Sequence, residues 1–416
     1  MGINKKIANF ALRKIDTELR KRFIREPDIY ETLAIMNTKR FLSLASLTLA
    51  ALLFAGASLS YAGPKTAAPK GAKTAKITVT PATDAKITYI GRTLTEGDKV
   101  SFDWSGVQCR VRFSGRGISL RCSDTKANYY NVWLDRGMES EPDKVIRTAG
   151  SDTLIVLFEG LKKGEHSLIL QKRTEGEQGR TTFSAFEIEG GDILSPEPLG
   201  ERYIEFVGDS YTCGYGAENS VKSDPFTPET ENCNRTYAAL VSRYFGADFT
   251  LVSHSGMGVV RNYNDHFRGV PGKTMPERYD STFDEEIVPL AAPEMIPDLV
   301  VIYLGTNDFS VSRQPSLAEF CDGYSVLVGK IRSRYGADVP ILCMSSRCDP
   351  LLYDYMVEAC SRIGDPRVHT LGLQKDVHND EGDLGASWHP NYLGHRKIAS
   401  VVIPYIATIM NWEMKD

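Results

Sequence analysis

The spacing of apolar and polar residues changes about midway along the chain. Between residues 85 and 193, apolar and polar positions alternate in short runs that are separated by turn residues. A period of two is typical of antiparallel strands with one packed face and one wet face, and strands this short and frequent predict a β-sandwich. The predicted strands cover residues 99–104, 108–113, 118–122, 130–135, 153–158, 166–170 and 183–188.

Beyond the proline-bearing linker 194–201, apolar strands alternate with amphipathic helices. This order predicts a doubly wound α/β domain over 202–416, with a parallel sheet and its functional site at the carboxyl ends of the strands. The predicted strands are 203–207, 249–253, 298–304, 340–344 and 368–371, and the predicted helices are 236–245, 317–335, 353–363 and 393–411.

The first 84 residues do not fit either pattern. A short basic region at 36–40, an apolar run to Leu59 and the small residues around Ala62 predict a secretory signal at about 36–62. An uncleaved membrane anchor is the alternative. Residues 1–35 fit either an amphipathic, charge-rich extension or translation from a start codon upstream of the true Met36, and we favour the second. Residues 63–84 are predicted to form a flexible tether. The expected location is therefore secreted, periplasmic or at the cell surface, without membrane insertion after cleavage.

Charge narrows the class of partner. The residues after Ala62 carry 39 Lys/Arg against 48 Asp/Glu, a net formal charge of −9. An acidic body of this kind repels polyphosphate, and the sequence has no Gly-rich phosphate loop, so we expect no nucleic acid partner and a neutral substrate.

Eight cysteines follow the signal, which makes disulfides possible in an oxidising compartment. Cys109 with Cys122 and Cys213 with Cys233 are the candidate pairs, and buried free thiols are the alternative. Because the chain has no Cys-x-x-Cys motif and no Cys/His cluster, we expect no metal.

Polar clusters follow several strands of the second half. Gly208-Asp-Ser210 follows the first strand, His254 to Gly258 the second, and Gly305-Thr-Asn-Asp308 the third, while Trp388-His-Pro-Asn391 precedes the last helix. Since parallel strands end at the same edge of a sheet, these clusters are expected to meet in one crevice.

Together these clusters contain the groups that acyl transfer requires. Ser210 is the predicted nucleophile, and His389 is the base that accepts its proton. The N–H groups of Ser210 and Gly256 and the side-chain amide of Asn307 are predicted to bind the oxyanion.

These four blocks resemble those of the SGNH/GDSL hydrolase superfamily. The longer strings from Glu205 to Gly216, Ser253 to Tyr263 and Thr230 to Asn232 are most similar to carbohydrate esterase family 2. The resemblance implies an N-terminal jelly-roll domain, a flavodoxin-like SGNH domain with helices on both faces, and no cofactor. It also implies a secreted serine esterase that removes O-acetyl groups from plant polysaccharide such as xylan or glucomannan, or from derived oligosaccharides.

One position departs from the superfamily pattern. An Asp usually stands three residues before the histidine, but here that residue is Ala386, and Ser387 follows it. Some relatives use a Ser-His dyad whose imidazole is held by a backbone carbonyl, and we expect the same here. Asp380 and Asp383 are the alternative orienting acids. The aromatic candidates for stacking on sugar rings are Trp388, Tyr211, Tyr215 and Tyr263.

Two other functions compete with a polysaccharide acetylesterase. The missing acid fits a catalytically decayed, carbohydrate-binding surface protein. An SGNH lipase or a peptidoglycan O-acetylesterase would use the same four blocks on another substrate.

Overall fold

The computed structural model describes residues 76–263, 265, 274–310, 314–346, 350–374, 377 and 381–415. The predicted signal at 36–62 and the first part of the predicted tether lie outside these residues. Within them, no helix is both long and apolar enough to cross a membrane.

The first half of the structure is a nine-stranded antiparallel sheet, jelly-roll-like and curved into a half-barrel, as the alternating pattern and the resemblance predict. The 18-residue strand β6 joins three neighbours and spans two predicted strands, with register shifts near Cys122 and Asp124. Such bulges bend and twist a strand, which allows one strand to serve both sides of a curved sheet. The strands are β1 (Ile77–Pro81), β2 (Thr88–Ile90), β3 (Leu94–Glu96), β4 (Lys99–Phe102), β5 (Gln108–Gly115), β6 (Gly117–Leu134), β7 (Lys144–Phe158), β8 (Gly164–Lys172) and β9 (Thr181–Glu189).

The sheet begins earlier than the sequence analysis predicted. Strand β1 lies inside the segment 63–84 that was interpreted as a tether, and it pairs antiparallel with β9. The sequence Ile77-Thr-Val-Thr80 does alternate, but it is too short and too close to a Lys/Ala/Thr-rich stretch to stand out. Its pairing with β9 supplies the backbone hydrogen bonds that make it a strand.

The second half contains five parallel strands in the spatial order β11-β10-β12-β13-β14, which is the flavodoxin-like arrangement. The central strands are buried on both faces because helices cover both sides of the sheet. The strands are β10 (Arg202–Gly208), β11 (Ala247–Ser253), β12 (Leu299–Tyr303), β13 (Ile341–Ser346) and β14 (Val368–Leu373), and the helices are α1 (Ser210–Cys213), α2 (Tyr237–Phe245), α3 (Met275–Arg278), α4 (Leu317–Tyr335), α5 (Pro350–Ile363) and α6 (Tyr392–Met410).

The two faces of the parallel sheet have separate cores. Val300 and Ile302 of β12 pack toward α4 and α5, whereas Leu299 and Val301 pack toward α2 and α6. The α4 core residues recur at helical spacing, and a capping box between Ser316 and Glu319 begins this helix. This packing fixes the strand ends at which the polar clusters lie.

The antiparallel sheet packs against the parallel one through a mixed apolar and ionic interface. Arg110 pairs with Asp248 at 2.5 Å, and the indole N–H of Trp104 donates to the carbonyl of Thr282 at 3.1 Å. These partners are buried or half-buried, so their hydrogen bonds compensate for desolvation.

Neither candidate disulfide is present. All seven cysteines in the described part of the chain are buried and unpaired, and Cys348 lies outside that part. Cys109 and Cys122 lie on β5 and β6, which are not neighbours, because β8 lies between them. Cys213 and Cys233 instead donate to separate acceptors, Glu175 and the carbonyl of Lys172.

Candidate active site

Ser210 lies at the carboxyl end of β10, as the first residue of the short helix α1. The carboxylate of Asp209 accepts the N–H of Tyr211 at 3.1 Å, which fixes the start of this turn. No residue with a side chain fits at position 208, because a Cβ would lie 2.0 Å from Oγ1 of Thr212. The turn therefore holds the Ser210 hydroxyl at the edge of the sheet with little freedom.

His389 contacts Ser210 directly. Its Nε2 lies 2.9 Å from Oγ of Ser210, and its Nδ1 lies 3.0 Å from the carbonyl oxygen of Ser387. A carbonyl can only accept, so Nδ1 carries the proton and Nε2 accepts from the serine hydroxyl. Burial lowers the pKa of His389, and the hydrogen bond to Ser387 offsets only part of this shift. The ring is thus neutral and oriented as a general base.

An unusual turn orients the carbonyl of Ser387 toward Nδ1 of His389. Ser387 and Trp388 both adopt left-handed conformations, with φ of 52° and 59°. Such conformations cost roughly 1–3 kcal/mol each in non-glycine residues and persist only where neighbours enforce them. Here the N–H groups of Ser387 and Trp388 donate to the carbonyls of Asp224 and Lys222, at 2.9 and 3.0 Å.

Of the two alternative orienting acids, the structure describes only Asp383, which bonds to another partner. Asp383 is buried, and its carboxylate pairs with Lys397 at 2.7 Å. Asp380 lies outside the described residues. Ala386, at the position where the superfamily usually has an Asp, is fully buried and carries no polar group.

The predicted oxyanion donors line the same pocket as Ser210 and His389, which encloses about 480 Å³. Gly256 adopts a left-handed φ of 80° in the loop after β11. The carboxylate of Asp308 fixes the next part of this loop by accepting the N–H groups of residues 259–261 at 2.7–2.9 Å. The amide Nδ2 of Asn307 donates to Asp209 and to the carbonyl of Met257, which sets its orientation.

Buried carboxyls surround these donors. Burial raises the pKa of Asp209 to about 7, and the nearby carboxyl of Asp308 adds to the shift. Burial also raises the pKa of Asp308 to about 6, against the three backbone N–H groups that it accepts.

The four aromatic candidates all line the pocket, but they differ in what covers their rings. Tyr215 is stacked on Phe226 and lies 4.4 Å from the His389 ring, so its faces are already packed. Tyr211 is also half-buried beside His389. Tyr263 and Trp388 are 61 % and 59 % exposed. Those two rings are therefore available to a ligand in the pocket.

Sequence reasoning missed a second polar cluster behind the pocket. Burial would lower the pKa of His254, but the carboxylates of Asp284, at 2.7 Å, and Glu175 raise it to about 9. Glu175 lies in the loop that follows β8 and is fully buried. The segment from Gln171 to Gln178 is so polar that its sequence predicts a solvated turn. No sequence signal distinguishes Glu175 as a buried residue.

Among the residues that the structure describes, two groups of side chains bring potential metal ligands within 4.8 Å of one another: Glu175 with Cys213 and Glu231, and His254 with Asp284 and Glu285. Both already have protein partners. Ser255 and Cys213 donate to Glu175, and His254 bonds to Asp284.

The fold and the four blocks define a member of the SGNH/GDSL hydrolases. Residues 206–397 match the GDSL-like Lipase/Acylhydrolase family, and residues 89–198 match the family described as Carbohydrate esterase 2 N-terminal.

Individual relatives agree with both matches. A solved family two carbohydrate esterase from Clostridium thermocellum, in complex with cellohexaose, superposes with a TM-score of 0.71 at 30 % identity and covers 79 % of this chain and 100 % of that one. The chain belongs to carbohydrate esterase family 2.

Two curated proteins are also similar to this chain. The Cellulase/esterase CelE of Acetivibrio thermocellus is 32 % identical over 321 residues, which are 74 % of this chain but only 38 % of CelE. An Acetylxylan esterase / glucomannan deacetylase of Cellvibrio japonicus is 26 % identical over 334 residues, 76 % of this chain and 89 % of that protein.

Proposed function

We propose that this protein is a secreted serine esterase that removes O-acetyl groups from plant cell-wall polysaccharide through an acetyl-Ser210 intermediate. The 2.9 Å contact between Oγ of Ser210 and Nε2 of His389, inside a pocket lined by Gly256 and Asn307, carries this proposal. The similarity to an Acetylxylan esterase / glucomannan deacetylase supports the substrate class.

The geometry supports a two-step reaction. In the first step Oγ of Ser210 attacks the acetyl carbonyl while its proton passes to Nε2 of His389. The tetrahedral oxyanion is bound by the N–H groups of Ser210 and Gly256 and by the amide of Asn307. One of the two Asn307 N–H groups leaves its present acceptor, Asp209 or the carbonyl of Met257, to make this bond. Collapse breaks the ester bond, and the sugar oxygen leaves with the proton from His389. In the second step water attacks acetyl-Ser210 while its proton passes to Nε2 of His389. His389 returns this proton to Oγ of Ser210 as the acyl bond breaks, which releases acetic acid that ionises to acetate.

The exposed rings support a sugar substrate. Tyr263 and Trp388 border the pocket on the solvent side, where flat aromatic faces can stack on pyranose rings. We infer xylan, glucomannan or oligosaccharides derived from them, bound with the acetyl group in the pocket and the sugar chain across its mouth.

Release of acetate tests this function. Wild type and Ser210→Ala are compared on acetylated xylan, acetylated glucomannan and a small aryl acetate, with O-acetylated peptidoglycan and a long-chain aryl ester as competing substrates. We expect release from at least one plant polymer and its loss in Ser210→Ala. Preference for the long-chain ester or for peptidoglycan would instead identify a lipase or a peptidoglycan O-acetylesterase.

A carbohydrate-binding protein without esterase activity is the second candidate. The solved relative in complex with cellohexaose favours it, because this ligand is a glucan without acetyl groups. Binding of cello-oligosaccharide together with no acetate release from any ester would support this candidate and contradict the esterase.

Secretion is a separate part of the proposal and rests on the pattern at residues 36–62. Expression of the full chain in a bacterial host, followed by N-terminal sequencing of the exported protein, tests it. We expect a mature chain that begins at Gly63, and retention of residues 36–62 would contradict cleavage.

A further inference from the structure

The loop that follows β8 connects the antiparallel sheet to the back of the catalytic pocket. Residues 171–175 are charged or polar, yet each is at most 2 % exposed. Arg173 anchors the loop by donating to the carbonyls of Glu229 and Glu231 at 3.1 Å. The loop is therefore fixed to the parallel-sheet half of the molecule.

Glu175 in this loop contacts both halves of the catalytic machinery. Its Oε2 accepts the backbone N–H of Ser255 at 2.6 Å, and Ser255 immediately precedes Gly256. The thiol of Cys213 also donates to Oε2, at 3.6 Å, and Cys213 is the last residue of the helix that Ser210 begins. A single carboxylate oxygen thus joins the oxyanion loop to the nucleophile helix.

The environment of Glu175 holds this oxygen in place. The backbone N–H of Glu175 donates to the carboxylate of Glu231 at 3.3 Å. The ammonium of Lys172 donates to the backbone carbonyl of Glu175 at 3.0 Å. Nδ1 of His254 lies 4.0 Å from Oε2, so the protonated ring adds a favourable charge. Neither the carboxylate nor the loop can move without breaking buried contacts.

We propose that Glu175 is a positioning residue that sets the distance between the Ser210 nucleophile and the Gly256 oxyanion donor. The antiparallel half of the molecule thereby takes part in catalysis. The inference rests on the proposed esterase function of the same pocket. Oxyanion donors act only if they lie within hydrogen-bond reach of the developing charge, and a shift of about 1 Å can lower the rate about 10²-fold.

Three substitutions at Glu175 separate positioning from folding. Glu175→Ala removes the acceptor, and Glu175→Asp keeps a carboxylate but withdraws it by one methylene from Ser255. Glu175→Gln retains an oxygen that can accept the same N–H. Glu205→Gln is the matched control, because Glu205 is also a buried interface glutamate, but it accepts from the hydroxyls of Tyr279 and Tyr335 instead.

The readouts are kcat and KM on a small aryl acetate and the Ki of methylboronic acid, which forms a tetrahedral adduct with serine. For Glu175→Ala and Glu175→Asp we expect kcat to fall roughly 10- to 100-fold with little change in KM. The Ki should rise in parallel. Glu175→Gln should recover most of the rate, and Glu205→Gln should stay within about threefold of wild type in kcat and Ki.

A purely structural role would give a different result. Loss of folded protein lowers apparent kcat but leaves Ki unchanged, so unchanged Ki in both Glu175→Ala and Glu175→Asp would overturn the proposal. If Glu175→Ala is not recovered folded, Glu175→Asp decides alone. Inactivity of wild type itself would instead contradict the esterase function, which distinguishes that failure from this one.

Discussion

The carbonyl oxygen of Ser387 lies 3.0 Å from Nδ1 of His389, on the side of the ring opposite Ser210. In the portion of the chain that the structure describes, no carboxylate bonds to this imidazole. A carbonyl dipole selects the reactive tautomer and orients the ring, as an aspartate would. It carries no full charge, however, and so it stabilises the imidazolium less.

The acid limb of the pH–rate profile distinguishes a carbonyl partner of His389 from a carboxylate partner. Neutral His389 is the reactive form, and its pKa is lowered by burial. We therefore expect kcat/KM on an aryl acetate to fall only below pH 6.5, the usual pKa of histidine. Because the pKa of Asp209 is raised to about 7, the profile is measured for Asp209→Asn as well as for wild type. A midpoint above 6.5, the usual pKa of histidine, that persists in Asp209→Asn would indicate a carboxylate partner of His389.

Asp383 gives a direct test of the dyad. Its carboxylate pairs with Lys397, so Asp383→Asn should keep kcat within about threefold of wild type while lowering Tm. Loss of a true orienting aspartate lowers kcat by about 10⁴. Kinetics and thermal unfolding of the same preparation check this prediction. A fall of that size in correctly folded Asp383→Asn would show that Asp383, and not the carbonyl of Ser387, orients His389.

The left-handed turn at Ser387 predicts opposite effects for two substitutions. Glycine adopts a φ of 52° without strain, so Ser387→Gly should retain kcat within about threefold and should not lower Tm. Proline fixes φ near −65° and removes the N–H that donates to Asp224. Ser387→Pro should therefore lower kcat more than 10²-fold, because the carbonyl no longer faces His389.

Both variants are measured on the aryl acetate, and circular dichroism confirms their folding. Equal loss of activity in Ser387→Gly and Ser387→Pro would show that the Ser387 side chain, and not its carbonyl, is required.

Asn307 is expected to act mainly on the chemical step. Its amide lines the pocket and is oriented by Asp209 and Met257. Asn307→Ala should lower kcat by about 10²–10³ with a smaller change in KM, as for other oxyanion donors. Steady-state kinetics on the aryl acetate measure both. A variant that changes KM alone would assign Asn307 to substrate binding.

Much of the fold follows from the hydrophobic pattern. The buried strand around Val300 and the capped helix that begins after Ser316 stand out in the sequence because burial on both faces and helical periodicity leave strong local signals. The candidate site could be predicted for a related reason. Ser210, Gly256 and Asn307 each follow a strand, and parallel strands bring their carboxyl ends together.

The parts that sequence reasoning missed depend on contacts between distant segments. Ser387 and Trp388 are held in left-handed conformations by carbonyls more than 160 residues away, and neither residue type favours that conformation. Glu175 lies in a charged stretch whose burial depends on the packing of the two sheets. Strand β8 lies between the strands of Cys109 and Cys122 and so keeps these two cysteines on strands that do not adjoin. Local propensity contains none of this information.

A covalent acetyl group on Ser210 is the most direct consequence of the proposed chemistry. Wild type is mixed with an aryl acetate, quenched in acid during turnover, and analysed by intact mass and peptide mapping, with Ser210→Ala and His389→Ala beside it. We predict one added acetyl group, mapped to Ser210 and absent from Ser210→Ala. Release of acetate with no acetylated protein at any quench time, or with activity retained in Ser210→Ala, would contradict the account.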